Sequence, residues 1–459
     1  MRFYKAIRWA SVPVSILALL MTGCDASDTS TVSATEAAIE DDVFIEDETE
    51  SASAYLQKEF TPADESAATA EGIQRIATAN NNFAIKMYHQ LTKEDTLDNL
   101  VFSPYSISSA MALGYVGAKG DTYDEIQQVF DYSAIDQMLP NAAALYNQLN
   151  RPNVDYMLSS TNGLWVQQGL DPNPTYLDSI NRYLQAEVNP VDFMYDPESA
   201  RTTINRAIAK QTHDLIPQII PINGVDEATR SVLTNALYFK GAWYHEFYDG
   251  STESMPFETF QMTGSATSAP MVDMMHQYNG FQYVEDKQAQ VIDLPYVGKE
   301  ISMMVILPKI ADKQGLQQLM ASLTTEKITS WQAKSDYEDI NLYLPKFKMN
   351  VRDEELADKL MTMGMPTAFS PAANFSGYHE TVPLVFDKVV HQAVIEVDEL
   401  GTEAAAATTV MDMAASAEED EEPVIPIVFK ADHPFIYMIY HAPTNAILFM
   451  GQMVRPSSD

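Results

Sequence analysis

Val397-Asp398-Glu399-Leu400-Gly401-Thr402-Glu403-Ala404-Ala405-Ala406-Ala407-Thr408-Thr409-Val410 carries two opposed local signals. The β-branched and aromatic run over residues 386–397 reads as a strand. It leads into Gly401 and then into small residues, which continue to the acidic tract Glu418-Glu419-Asp420-Glu421-Glu422-Pro423. Ala and Glu favour helix, whereas Thr402, Thr408, Thr409 and Val410 do not. One reading is a short alanine helix followed by a surface loop. The other is a segment balanced between two conformations.

The flanks are those of an α+β body. Residues 434–440 and 446–454 are apolar on both faces around His441-Ala442-Pro443-Thr444-Asn445, which predicts a buried hairpin. Further strands are predicted over 231–238, 290–296, 301–307 and 340–344, and an amphipathic helix over 72–91. Asn99-Leu100-Val101-Phe102-Ser103-Pro104 predicts a short strand feeding a helix, with Ser103 as N-cap and Pro104 at the first helical position. Ile107, Met111, Leu113 and Val116 give that helix its buried side. Gly117 and Gly120 end it, and Asp121 or Thr122 is expected to cap the next. With no repeat or second linker over 72–459, one domain is expected there.

The N-terminal region reads as an address and a spacer. Arg2, Lys5 and Arg8 precede an apolar run over 9–21, which is too short to span a bilayer comfortably but suits a signal-peptide core, so residues 1–23 are expected to be removed on export. The run ends Leu20-Met21-Thr22-Gly23-Cys24, which resembles the bacterial lipoprotein processing box with its diacylated cysteine. An ordinary signal peptide with an incidental cysteine is the alternative. Cys24 is the only cysteine of the chain, which excludes an internal disulfide or a Cys-based zinc site. Residues 24–71 are rich in Asp, Glu, Ser, Thr and Ala and read as an acidic disordered tether. The expected place is the bacterial cell envelope, lipid-anchored through Cys24 on its periplasmic or extracellular face.

Composition excludes several partners. The 459 residues are 46% apolar, enough for a sizeable core. Lys and Arg number 28 against 64 Asp and Glu, a formal charge of −36 that repels nucleic acid over most of the surface. His89, His213, His245, His276, His379, His391, His433 and His441 show no metal-ligand spacing, so no metal is expected. No nucleotide-binding glycine motif or nucleophile elbow is present, and neither an enzyme nor a cofactor is expected.

The segment from Glu399 to Thr408 resembles the proximal hinge of the reactive loop in inhibitory serpins. Other serpin-like motifs follow in order: residues 99–126, Asn162-Gly163-Leu164-Trp165-Val166-Gln167, residues 233–243, Leu344-Pro345-Lys346-Phe347, Gly364-Met365 with Ala368-Phe369-Ser370 and Phe375-Ser376-Gly377, Val389-Val390-His391-Gln392-Ala393, and Asp432-His433-Pro434-Phe435. The resemblance implies a serpin fold of three β-sheets and about eight or nine helices with an exposed reactive-centre loop near 400–424, able to insert into the central sheet. It implies a monomeric suicide inhibitor that forms a covalent acyl complex with a target serine protease. A non-inhibitory binding or chaperone-like protein of the same fold is the alternative.

Residue by residue, the resemblance places the hinge at Glu399, Gly401, Thr402, Glu403, Ala404, Ala405, Ala406, Ala407 and Thr408. On insertion Thr402, Ala404, Ala406 and Thr408 would face the core, where small side chains are needed. The family's count from Gly401 gives Ala415-Ser416 as the reactive bond, with Met413 and Ala414 as alternates. No Arg or Lys is offered there, so elastase-like or subtilisin-like enzymes are the expected targets. Asp412, also on an inward position, departs from the family's apolar or small residue. Ser103, Ser106, Asn235 and His391 match positions beneath the sheet-opening region, and Trp243 matches the aromatic under the loop's entry point.

Overall fold

The computed structural model describes residues 60–93, 98–259, 269–353, 355–382, 384–402 and 426–456. The described helices are α1 (Ala70–Leu91), α2 (Pro104–Gly117), α3 (Gly120–Phe130), α4 (Ile135–Asn150), α5 (Pro174–Leu184), α6 (Pro197–Gln211), α7 (Lys313–Ser322), α8 (Thr325–Lys334) and α9 (Leu356–Met363). The strands are β1 (Leu100–Phe102), β2 (Tyr156–Gln167), β3 (Glu187–Val191), β4 (Ser231–Ala242), β5 (Glu253–Pro256), β6 (Met271–Glu285), β7 (Ala289–Pro295), β8 (Ile301–Pro308), β9 (Asp336–Pro345), β10 (Phe347–Asp353), β11 (Lys388–Val397), β12 (Gly401–Thr402), β13 (Ile427–Lys430), β14 (Phe435–His441) and β15 (Ala446–Met453).

Among the described residues the strands form two hydrogen-bonded sheets, one ordered β10-β11-β12-β4-β2-β3 and one ordered β1-β15-β14-β8-β7-β6-β9-β13 with β5 on β6. Two of the three expected sheets run together because β6 is long: its first residues pair with β5, its middle with β9 and its end with β7. The core lies in layers. Phe239, Ile395 and Val397 of the six-stranded sheet meet Ile292, Met303 and Tyr437 of the larger sheet. The other face of β14 and β15 packs on α1 and α2, while α6 covers the outer face of the six-stranded sheet at Trp165 and Val232.

The start of α2 follows from its residues. Ser103 accepts the Ser106 N–H at 3.1 Å, and Pro104 sits in the first turn. Every α2 residue except Ser109 is buried, so the helix has no solvent face rather than one buried side. Neither Asp121 nor Thr122 caps α3, which starts at Gly120; the Thr122 hydroxyl instead accepts the Asn374 N–H at 2.9 Å. The hairpin at β14 and β15 stands as expected, with all residues of both strands buried. The body begins before residue 72: α1 opens at Ala70, and residues 60–69 run against α4 and α5 through the Asp64–Arg182 ion pair and hydrogen bonds to Asn147. Cys24 and the rest of the expected tether lie outside the described residues.

Candidate functional site, a slot between two parallel strands

β4 and β11 are parallel neighbours joined at one end only. Lys388 to His391 pair with Val232 to Asn235. At the other end β12 stands between them, with Gly401 opposite Ala242, Thr402 opposite Gly241, and Thr402 also opposite Val397. Between these two ends, residues 236–240 of β4 and 392–396 of β11 have no ladder partner on their facing edges among the described residues. A narrow slot lies there, lined by Leu237, Tyr238 and Phe239, by Val394, Ile395 and Glu396, and by Thr402. Two facing strand edges without a partner are an invitation to a further strand.

The head of the slot is fastened by a tight turn. Asp398 Oδ1 accepts the N–H groups of Leu400 (2.9 Å) and Gly401 (3.1 Å), and the Asp398 N–H donates to the Gly401 carbonyl at 3.0 Å. The Leu400 carbonyl accepts the Trp243 N–H, and the Asp398 carbonyl accepts the Trp243 Nε1–H. Gly401 is required by close approach: a Cβ there would lie 2.1 Å from the Gly241 carbonyl oxygen. Thr402 is buried, its hydroxyl 2.6 Å from the Tyr296 hydroxyl, and the Tyr296 ring stacks on Trp243 at 4.5 Å.

Glu399 anchors the same turn from outside. Its carboxylate pairs with Lys346 Nζ at 2.7 Å and accepts the Thr252 hydroxyl at 2.7 Å. Burial opposes its charge, but Lys346 and Thr252 together outweigh that and hold the carboxyl below its ordinary range.

At the closed end His391 Nε2 accepts the Ser103 N–H at 3.0 Å, so the neutral ring carries its proton on Nδ1. Burial pushes this imidazole down to about 4, with Asp353 offsetting part of the effect. Asn235, opposite His391 in the ladder, donates to Asn162 Oδ1. His391 Nδ1, Asn235 Oδ1 and Ser106 Oγ are buried without a partner among the described residues. Ser103, Ser106, Asn235 and His391 are thus together at the point where β4 and β11 begin to pair, and Trp243 lies under the entry point.

Glu403, Ala404, Ala405, Ala406, Ala407, Thr408, Met413, Ala414, Ala415 and Ser416 lie outside the described residues. Sequence reading missed Lys346, Thr252, Tyr296 and Asn162. Lys346 and Asn162 fall inside quoted motifs, but nothing local signals their partners.

The family model for Serpin (serine protease inhibitor) matches residues 78–456. The chain belongs to the serpin family. It is 37% identical over 415 residues to an uncharacterized serpin-like protein of Methanosarcina mazei, covering 88% of this chain and 93% of the relative. It is 35% identical to leukocyte elastase inhibitor of Bos taurus, covering 84% of this chain and all of the relative. The structure of uncleaved ovalbumin superposes with a TM-score of 0.73 at 28% identity, covering 83% of this chain and all of ovalbumin. Serpins are in general protease inhibitors rather than enzymes, and this serpin carries their fold.

Proposed function

We propose that this serpin is an irreversible suicide-substrate inhibitor of serine proteases, acting through loop cleavage and insertion into the slot. The carrying observation is that Gly401 and Thr402 are already seated between β4 and β11 in a fixed antiparallel register. Each further residue then moves one step down both strands. Ala404 falls between Phe239 and Ile395, Ala406 between Leu237 and Ala393, and Thr408 between Asn235 and His391. The side chains that share the face of Thr402 are therefore small where the core is already packed. Thr408 also meets two unpartnered atoms of matching chemistry: its hydroxyl can donate to Asn235 Oδ1 and accept from His391 Nδ1–H. In the same register Asp412 falls between Ser231 and Asp387, whose carboxylate already accepts the Arg230 and Ser231 N–H groups. Insertion that far brings two carboxylates together.

In the proposed step the protease serine attacks the Ala415 carbonyl. The Ala415-Ser416 peptide bond breaks, Ser416 leaves as a new amino terminus, and Ala415 remains esterified to the protease. Insertion then carries the acyl-enzyme away from the entry point before water can hydrolyse the ester. The absence of Arg and Lys at Met413-Ala414-Ala415 favours elastase-like or subtilisin-like targets, and the inhibitor acts as a monomer. It is tethered to the cell envelope through a lipid on Cys24.

The test is to mix the protein with an elastase, a subtilisin and trypsin and run denaturing gels. The expected result is a denaturant-resistant complex with the first two and a released fragment beginning near Ser416. Cleavage by all three without any complex would support the non-inhibitory reading instead.

A further inference from the structure

Residues 60–69, ahead of α1, are mostly small or polar after Phe60, yet they are fastened across two helices. Phe60 stacks on Tyr146 of α4 with ring centroids 6.4 Å apart and planes 15° from parallel. Asn147 of α4 holds the backbone of Ala63 from both sides, accepting its N–H at 2.8 Å and donating to its carbonyl at 2.9 Å. The Asp64 N–H donates to the Arg182 carbonyl of α5 at 2.8 Å, and Arg182 Nε donates back to the Asp64 carboxylate at 2.6 Å. Hydrogen bonds from Ser66 and then the Arg182 guanidinium hold that carboxyl down to about 2. Thr69, the N-cap of α1, donates its N–H to Asn141 of α4 at 2.9 Å.

These contacts join parts that insertion must separate. A strand entering between β4 and β11 must part them by about 4.8 Å along the length where they pair directly. β4 carries β2 and β3 with it. α4 packs on β2 as well as on α1, and α5 on β3 as well as on α4, so the half that moves away from β11 carries α4 and α5 and slides them against α1. α1 packs on β15, in the other sheet. Residues 60–69 are bound to α4 and α5 and run directly into α1, and so cross the line of shear. Tyr146 and Tyr183, against which Phe60 and Arg182 rest, also line a small cavity that includes Asn162, the partner of Asn235 at the closed end of the slot.

We propose that residues 60–69 form a strap that restrains the opening of the six-stranded sheet and so sets the rate of loop insertion. The proposal rests on the insertion reading above. With the strap fastened, the intact serpin is held against spontaneous insertion. Releasing it lets the β4-β2-β3 half move sooner.

The test uses the full-length chain, its double variant Phe60→Ala with Asp64→Ala, and the charge swap Asp64→Arg with Arg182→Asp. Each is nicked in the loop with a metalloprotease, whose metal-activated water cleaves the peptide bond without an acyl-enzyme, and hydrogen exchange is followed in residues 236–240 and 392–396. Protection should appear about tenfold faster in the double variant, equivalent to about 1.4 kcal/mol of lost restraint. The charge swap should return the rate toward that of the parent, which a merely loosened body would not do. Equal rates in parent and double variant, with protection appearing in both, would overturn the strap while leaving insertion intact. No gain of protection in the nicked parent would overturn the insertion reading and the strap with it.

Discussion

Thr402 is seated against Tyr296, and the proposed insertion would carry Thr408 to Asn235 and His391 in the register that Thr402 starts. Replacing Thr402 with Arg would place a charge between packed strands, at a cost of several kcal/mol. Thr402→Arg is therefore expected to leave loop cleavage intact but turn inhibitor into substrate, seen on denaturing gels as cleaved serpin with little complex. Thr408→Val keeps the shape but removes the hydroxyl that would satisfy Asn235 and His391. The cleaved form should lose about 1–3 kcal/mol relative to the cleaved parent, measured by denaturant unfolding, while the uncleaved form changes little. His391 supplies a pH signature of its own. Its folded value near 4 lies below the ordinary 6.5, so between those values the unfolded chain binds a proton that the native chain excludes. Stability is full above about pH 6.5 and falls as the pH drops toward 4. His441, held near the same value by burial, acts in the same direction. His391→Gln should flatten part of that fall, by at most about 3 kcal/mol between pH 7 and 4. An unchanged profile would remove His391 from the account.

Among the elements, those set by neighbours in sequence are legible in it. The Ser103 cap, the Pro104 start and the buried hairpin at residues 434–454 depend on neighbours in sequence, and they stand where the residues placed them. What was missed depends on partners far away. α3 starts at Gly120 rather than after a Thr122 cap because the Thr122 hydroxyl accepts the Asn374 N–H, 252 residues on. The strap read as tether because its residues are small and polar, and only Asn147 and Arg182, on other helices, reveal what they hold. The seating of β12 could not be read either. It is set by the Gly241 carbonyl pressed against Gly401 and by the Lys346–Glu399 pair, neither of which leaves a pattern in the hinge itself. The hinge residues are recognisable by resemblance, but the register that gives each of them a destination in the proposed insertion rests on three residue pairs, Gly401 with Ala242 and Thr402 with both Gly241 and Val397.

For the whole molecule, two features set the conditions of action. A formal charge of −36 disfavours contact with acidic surfaces and favours a target protease with a basic rim. If Cys24 carries the anchor, Cys24→Ala should move the protein from the detergent-extracted membrane fraction to the soluble one, and a variant that still needs detergent would contradict the anchor. The second feature is the slot, where the facing backbone edges of β4 and β11 have no strand partner among the described residues. Filling it should add about ten backbone hydrogen bonds, each contributing about 1 kcal/mol net. The most direct measurement is therefore the thermal midpoint of the chain before and after a single cut in the loop, with both fragments retained. The account predicts a rise of about 10 °C or more on cutting. A midpoint that stays or falls would contradict it.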